Sequence, residues 1–417
     1  MGGGRYLATE SESRVMSTPA QSLDVRRGTI PVMAVACGVA VATLYICQPL
    51  LAQIAQNLGV PQRLAALASV FAQIGYTLGI LFIVPLSDIA PPRTLVRVLL
   101  TLTILSLLAI AVAPGIDALL AATLIVSATS VIAQILIPIA TTFGSPAQRG
   151  RIVGSLMTGV VLGILLSRTI SGAVAQCSGT WRAPYLLEAV FVAALLFALP
   201  SFLPDRPTDH PKSDYFTLLR SLPALLRHRP LLVSMGLSFC SFGAFSVFWA
   251  TLAFHLATPA FGLGPAAAGL FGVWGAPGAL LAPIVGGLSD RWGSSRINAV
   301  SLVSMMACFA IAATLGTGSV AALIVAVNLL DFGQQSGQVA NQTRIFGIGE
   351  TIRGRLNTIY MATTFAGGAL GALAAGYAWT SAGWHGVCAL GSGLVGTAML
   401  LLIASKLTSR RASPAPS

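Results

Sequence analysis

The chain has 417 residues, 55% of them hydrophobic and only 9% charged, with a mean hydropathy of +0.83. Soluble domains carry roughly 25% charged residues, so a water-soluble fold is excluded and the chain reads as a polytopic membrane protein. The net charge of +12 would suit a nucleic-acid partner, but the placement of the basic residues argues against one.

Residues 1–28 are polar and rich in Ser and Gly, with no secretory signal, and are expected to form a disordered cytoplasmic tail. Twelve apolar spans follow, at 30–51, 65–88, 94–114, 118–141, 151–174, 183–204, 231–255, 265–288, 297–315, 319–342, 355–378 and 384–405. Residues 205–230 interrupt the series with charges and prolines. They read as a cytoplasmic linker, with a short surface helix near Tyr215 to Leu226, between a six-helix bundle at 29–204 and another at 231–405. Residues 406–417 form a second cytoplasmic tail. Five of the six cysteines fall in apolar runs and none forms a C-x-x-C pair, so neither a disulfide framework nor a metal site is expected. No cofactor is called for, and no phosphate-binding loop of the G-x-x-x-x-G-K-[ST] type is present, so ATP is not the expected energy source. Nor is there an H-E-x-x-H or nucleophile-elbow pattern to indicate an enzyme.

If the N-terminus is cytoplasmic, every Lys and Arg falls on the cytoplasmic side except Arg63 and Arg182, which fall outside, and Arg168, which lies within a span. The basic charge then serves topology and contact with anionic lipid. The two halves also repeat. Asp88 and Asp290, Arg149 and Arg353, and Trp181 and Trp384 are separated by 202, 204 and 203 residues. That is the signature of a six-plus-six duplication with parallel topology.

The tenth span carries Asn328, Asp331, Gln335, Gln338 and Gln342 at spacings of three and four, a single helical stripe about 21 Å long. A carboxylate and four amides at that depth must face protein or water, so the helix either lines a polar cavity or is satisfied by its neighbours. Asp331 lies near mid-membrane. Reached by water from one side and then the other, it could carry a coupling proton. The alternative is a structural Asp satisfied by Asn328, Gln335 or the backbone. Arg168 and Glu188 lie at similar depth on successive spans and are expected to pair, as a gate or as a fixed bridge. His255 and His385, near helix ends, read as interfacial. The glycines of the fifth and eleventh spans read mainly as close-packing residues.

The segment Gly286 to Arg296 matches G-x-L-x-D-R-x-G-x-x-R. With the twelve spans and the repeat, it resembles the major facilitator superfamily over nearly the whole chain beyond residue 28. Tyr45-x-x-Gln48-Pro49-Leu50 makes it similar to the drug–proton antiporter and sugar or nucleoside efflux branch. The first-half copy of the loop motif departs from the pattern, with Val84 and Pro91 where glycines are expected, and the fifth span lacks the branch's Gly-Pro.

The resemblance implies an all-α membrane protein of twelve transmembrane helices in two pseudo-repeated halves. It also implies a cavity lined by the first, fourth, seventh and tenth spans. Matching positions are Tyr45, Gln48, Ser127, Gln134, Ser246, Trp249, Asn328, Gln335 and Gln338, with Asp331 among them. The loop motif implies a latch of Asp290, Arg291 and Arg296 with Arg353 and Arg355, and of Asp88 with Arg149 and Arg151, unless these charges merely mark helix ends. The implied function is alternating-access, proton-coupled efflux of a small neutral or weakly cationic organic solute across a bacterial inner membrane. The other readings are proton-coupled import of a nutrient and a non-transporting sensor. The expected partners are a small-molecule substrate, protons and the lipid bilayer, with no nucleic acid, and the expected state is a monomer.

Overall fold

The computed structural model describes residues 28–143, 148–204, 215–281, 292–349 and 352–412, without the side chains of Asp88, residues 216–218 and residues 408–412. The N-terminal tail, the first ten residues of the linker, and Asp290 and Arg291 of the loop motif lie outside that description.

The described chain is all-helical, as lipid demands of a spanning backbone that must satisfy its own N–H and C=O groups. The first half holds α1 (Thr29–Leu58), α2 (Gln62–Ser87), α3 (Pro92–Ala111), α4 (Ile116–Phe143), α5 (Arg149–Ser178) and α6 (Ala183–Phe202). The second half holds α7 (Arg229–Leu256), α8 (Pro265–Leu281), α9 (Ser294–Thr317) and α10 (Val320–Phe346). A helical run from Arg353 then breaks at Ala382 and Gly383, giving α11 (353–381) and α12 (384–412). Gly383 makes that corner with φ 57° and ψ −145°, a conformation that side-chain-bearing residues avoid. The Trp384 indole pins the turn by donating to the Ala312 carbonyl at 2.9 Å.

By length and hydropathy alone, nine helices among the described residues qualify as membrane spans, one of them the run that contains both α11 and α12. Of the remaining two spans, α8 is described only to Leu281, and α10 is diluted by its amides. The linker carries the expected short helix, Tyr215–Ser221, followed by a turn at Pro223–Arg227. It is tied to both halves: Tyr215 donates to the Phe82 carbonyl of α2 at 2.9 Å, and Arg355 of α11 donates to Ser221 Oγ at 3.2 Å.

The two halves differ in how straight their helices are. In α1 the helix tightens into a 3₁₀ turn at Gln48–Leu50, because Pro49 supplies no N–H. In α4 it breaks after Thr129, and the Ser130 hydroxyl donates to the Val126 carbonyl at 2.6 Å. Their mates α7 and α10 run unbroken for 28 and 27 residues. The Ser319 hydroxyl caps α10 by accepting from the Ala322 amide at 3.3 Å.

One end of the bundle, the basic end, carries the start of α1, the linker and the end of α12. Toward the opposite end the two halves lock together. The Trp379 indole donates to Gln62 Oε1 at 2.5 Å, the Ala266 amide to Gln176 Oε1 at 3.0 Å, and Gln73 Nε2 to Ser246 Oγ at 3.0 Å. Gly172 of α5 lies against the backbone of Pro265 and Gly269 in α8, with no room for a side chain between them.

Candidate functional site

A cavity of about 360 Å³ lies between the halves, within the size range of small-molecule sites. Tyr45, Gln134, Arg168, Asp331, Gln334 and Gln338 supply much of its polar lining. From Arg168 and Asp331 it extends to Val153 on α5, Phe346 on α10 and Asn357 on α11, all near the basic end. Its wall toward α7 and α11 is aromatic. Tyr76 and Phe365 have centroids 4.5 Å apart, and Phe242 lies 5.0 Å from Phe365 and 5.4 Å from Phe245.

Arg168 is 1% exposed. Its Nε donates to Gln48 Oε1 at 2.7 Å, at the first residue of the 3₁₀ turn in α1. Its guanidinium carbon stands 3.6 Å over the Trp249 ring, with Tyr45 at 4.9 Å and Phe245 at 5.8 Å. Buried cation–π contact of this kind is worth about 2 kcal/mol. Arginine suits the place because it keeps its charge where an ammonium would not. The stretch of α5 around it is backed by α8. A methyl added to Gly269 would collide with the Arg168 carbonyl, and one added to Gly272 would sit 3.1 Å from Arg168 Cβ.

Asp331 is 3% exposed, on the α10 face toward α8. Its Oδ2 lies against Gly275, where a β-carbon would overlap it, and has no hydrogen-bond partner; Arg168 Nη2 has none either. The two groups line one cavity and feel each other's charge without joining in an ion pair. Each therefore keeps hydrogen-bonding capacity in reserve.

The structure sorts the residues singled out from the sequence into three groups. Tyr45, Gln134, Gln335 and Gln338 line the cavity with Asp331. Gln48, Ser246 and Trp249 instead form the layer that closes it toward the opposite end. Ser127 and Asn328 are packing residues. Ser127 is wholly buried, and its Cβ lies 3.0 Å from where Gly75 of α2 would carry a β-carbon. Asn328 ties α10 to α8, accepting from the Gly278 amide at 3.0 Å and donating to the Trp274 carbonyl at 2.7 Å.

The expected Arg168–Glu188 pair is not formed. Arg168 is taken by Gln48 and the aromatic rings, whereas Glu188 accepts from Thr43 Oγ1 at 3.3 Å. Similar depth on successive spans does not fix facing, and these two side chains leave α5 and α6 in different directions. Of the latch residues, Arg149, Arg151 and Arg296 are exposed, Arg353 donates to the Phe346 carbonyl at 3.1 Å, and Arg355 holds Ser221. The carboxylates of that scheme lie outside the described residues. Among the described residues no His, Cys, Asp and Glu cluster could hold a metal ion.

Sequence reasoning missed two features. Gln334 lines the cavity beside the stripe. The glycines of α8 at 269, 272, 275 and 278 recur every three residues and bring its backbone against Arg168, Asp331 and Asn328. That period was visible in the sequence.

The family model described as Major Facilitator Superfamily matches residues 33–347. The uncharacterized transporter YgaY of Escherichia coli O157:H7 is 36% identical over 364 residues, covering 87% of this chain and 92% of its own. The probable transporter SCO4007 of Streptomyces coelicolor is 34% identical over 370 residues, covering 87% and 84%. Among solved structures, a mutant of the nucleoside transporter NupG superposes with a TM-score of 0.68 at 15% identity, covering 90% of this chain and 98% of that one. The human organic anion transporter MFSD10 does so with 0.61 at 18% identity, covering 90% and 99%. At those identities the solved structures speak for the fold.

Proposed function

The chain belongs to the Major Facilitator Superfamily and is a membrane transporter, and we propose that it exports a small neutral or weakly cationic organic solute in exchange for protons. The observation that carries this reading is the buried carboxyl of Asp331. It faces a cavity that also holds Arg168, forms no ion pair with it, and keeps one oxygen without a hydrogen-bond partner. A carboxyl so placed exchanges protons with whichever side of the membrane the cavity opens to.

The two opposite charges cancel at the cavity centre, which favours an uncharged solute. In that same ionised state the Asp331 oxygen that lacks a hydrogen-bond partner offers an acceptor to the ammonium of a weak cation. The amides of Gln134, Gln335 and Gln338 supply donors and acceptors, and the aromatic wall of Phe242, Phe245 and Phe365 supplies apolar surface. In this reading the side carrying both termini is cytoplasmic, and the conformation described is inward-facing. Trp379–Gln62, Gln176–Ala266 and Gln73–Ser246 are then the contacts that part when the opposite side opens.

The test is proton movement in proteoliposomes that trap a pH-sensitive dye. Sugars, nucleosides and weak amines are offered in turn across an imposed pH gradient. Export coupled to protons predicts that at least one of them moves against its gradient with an opposite, stoichiometric proton flux. Solute and protons moving in the same direction would establish import in its place. Solute flux without any proton flux would remove coupling from the account.

A further inference from the structure

On the flank of the first half, between α1, α5 and α6, lies a second cavity, of about 400 Å³. It follows α1 from Ala34 to Ile46, a length of about 18 Å at 1.5 Å per residue. Its rim carries Val35, Leu162, Leu166, Ile170 and Phe191, all exposed large apolar side chains, so it opens sideways into the bilayer and not into the central cavity. The floor is glycine. Gly38 of α1 meets Gly159 and Gly163 of α5 so closely that a β-carbon on any of the three would collide with the facing backbone. Two helices drawn together this way leave a trough with no side chains to fill it.

One acid stands in this apolar trough. Glu188, 7% exposed, lines it near the end away from the termini, five residues into α6. Its Oε1 accepts a long bond from Thr43, and its other oxygen has no hydrogen-bond partner among the described residues. The hydroxyls that line the trough are spent on their own helices: Ser155 on Arg151, Thr158 on Gly154, Ser167 on Ile164 and Ser171 on Arg168, each donating to a carbonyl. Arg168, the basic residue at comparable depth, is engaged with Gln48 and Trp249 in the central site. A carboxyl at the edge of hydrocarbon with so little support is costly, and a cation delivered from the membrane would complete it.

We propose that this trough binds a membrane-dissolved single-chain amine, with its ammonium on Glu188 and its alkyl tail lying along the Gly38–Gly163 floor toward Val35. The polarity matches an amphiphile. The acid sits about 8 Å from the start of α6, near one membrane face, and the walls below it are apolar through the bilayer centre. A trough two helices wide takes one tail, and a phosphate beside the carboxyl would be repelled, which disfavours phospholipid.

The test uses the full-length protein in phosphatidylcholine nanodiscs. The probes are dodecylamine carrying a diazirine in its tail and the alcohol of the same length and label. Crosslinks are mapped by peptide mass spectrometry. The amine is expected to label peptides containing Val35, Leu162 or Phe191 about tenfold more than the alcohol, the margin of one hydrogen bond between charged groups. Glu188→Gln is expected to bring the amine down to the level of the alcohol. Leu166→Trp, which fills the trough and spares the carboxyl, is expected to abolish labelling by both. Asp331→Asn is expected to leave the pattern unchanged. Equal labelling by amine and alcohol in the unaltered protein would overturn the proposal without recourse to any variant. So would labelling concentrated on α10, or amine labelling that persists in Leu166→Trp.

Discussion

Two alanine substitutions one turn apart on α8 separate the positioning of Asp331 from the packing of the helix. At Gly278 an added β-carbon overlaps the Asn328 carbonyl oxygen and lies 2.9 Å and 3.0 Å from that residue's C and Cα. Nothing there can rotate away, so α8 and α10 must part, at an overpacking cost of about 1–3 kcal/mol. The separation also strains the bond from the Gly278 amide to Asn328 Oδ1, worth about 1 kcal/mol. At Gly275 the collision is with Asp331 Oδ2, the end of a side chain, while the Phe271 carbonyl at 3.2 Å and Val327 Cγ1 at 3.3 Å are merely tight. Rotating the carboxyl costs about 1 kcal/mol. Replacing glycine in a helix returns up to about 1 kcal/mol in either variant. Gly275→Ala is therefore near neutral in stability and Gly278→Ala loses about 1–3 kcal/mol, or several degrees in unfolding midpoint at roughly 2–4 °C per kcal/mol. Thermal unfolding in nanodiscs, followed by intrinsic fluorescence, reads the first difference. Flux driven by a pH gradient in proteoliposomes, normalised to folded protein, reads the second. Gly275→Ala is expected to fall well below wild type, and Gly278→Ala to stay close to it. If Gly275→Ala transports at the wild-type rate, or is the less stable of the two, the contact with Gly275 does not set the position of the carboxyl.

Arg168→Lys is expected to transport as poorly as Arg168→Gln, because an ammonium reproduces neither the bond to Gln48 nor the stacking on Trp249; near-normal flux in the lysine variant would contradict this. A double-mutant cycle between Arg168→Gln and Glu188→Gln, read as unfolding free energy, is expected to give a coupling under about 0.5 kcal/mol, whereas a true buried pair would give several times that. Cys177 is the exposed cysteine and lies at the end away from the termini. An impermeant maleimide is expected to label it in intact cells. With Cys177 replaced by alanine, a cysteine at Gly150, an open and exposed position, is expected to react only after lysis. The reverse pattern would invert the topology.

The fold was legible because its causes are one-dimensional. Apolar runs long enough to span a bilayer, a linker of charges and prolines, and landmarks in step across the two halves are all properties of the string. The stripe from Asp331 to Gln342 was legible for the same reason, since a period of three and four fixes a helix face whatever the neighbours do. What that face meets depends on tertiary contact. Asn328 shares the stripe, yet it is spent on Gly278 and Trp274, because α8 approaches α10 closely at that level. Ser127 matches Asp331 by the repeat offset, but α2 crowds it through Gly75. Arg168 and Glu188 share a depth, a coordinate the sequence supplies. Their facing depends on helix rotation, which α8 and its glycines set for α5. The glycines at 269, 272, 275 and 278, recurring every three residues, are the sequence signal of that contact.

The most direct test of proton coupling at Asp331 is Asp331→Asn reconstituted in proteoliposomes, with the solute identified by the dye assay. Flux is measured twice, once driven by a pH gradient and once as exchange at equal pH on both sides. Asparagine keeps the shape of the side chain and its place against Gly275 while removing the proton site. Gradient-driven flux is expected to be lost, and exchange to persist near the wild-type rate. Gradient-driven flux that survives in Asp331→Asn would contradict proton coupling there.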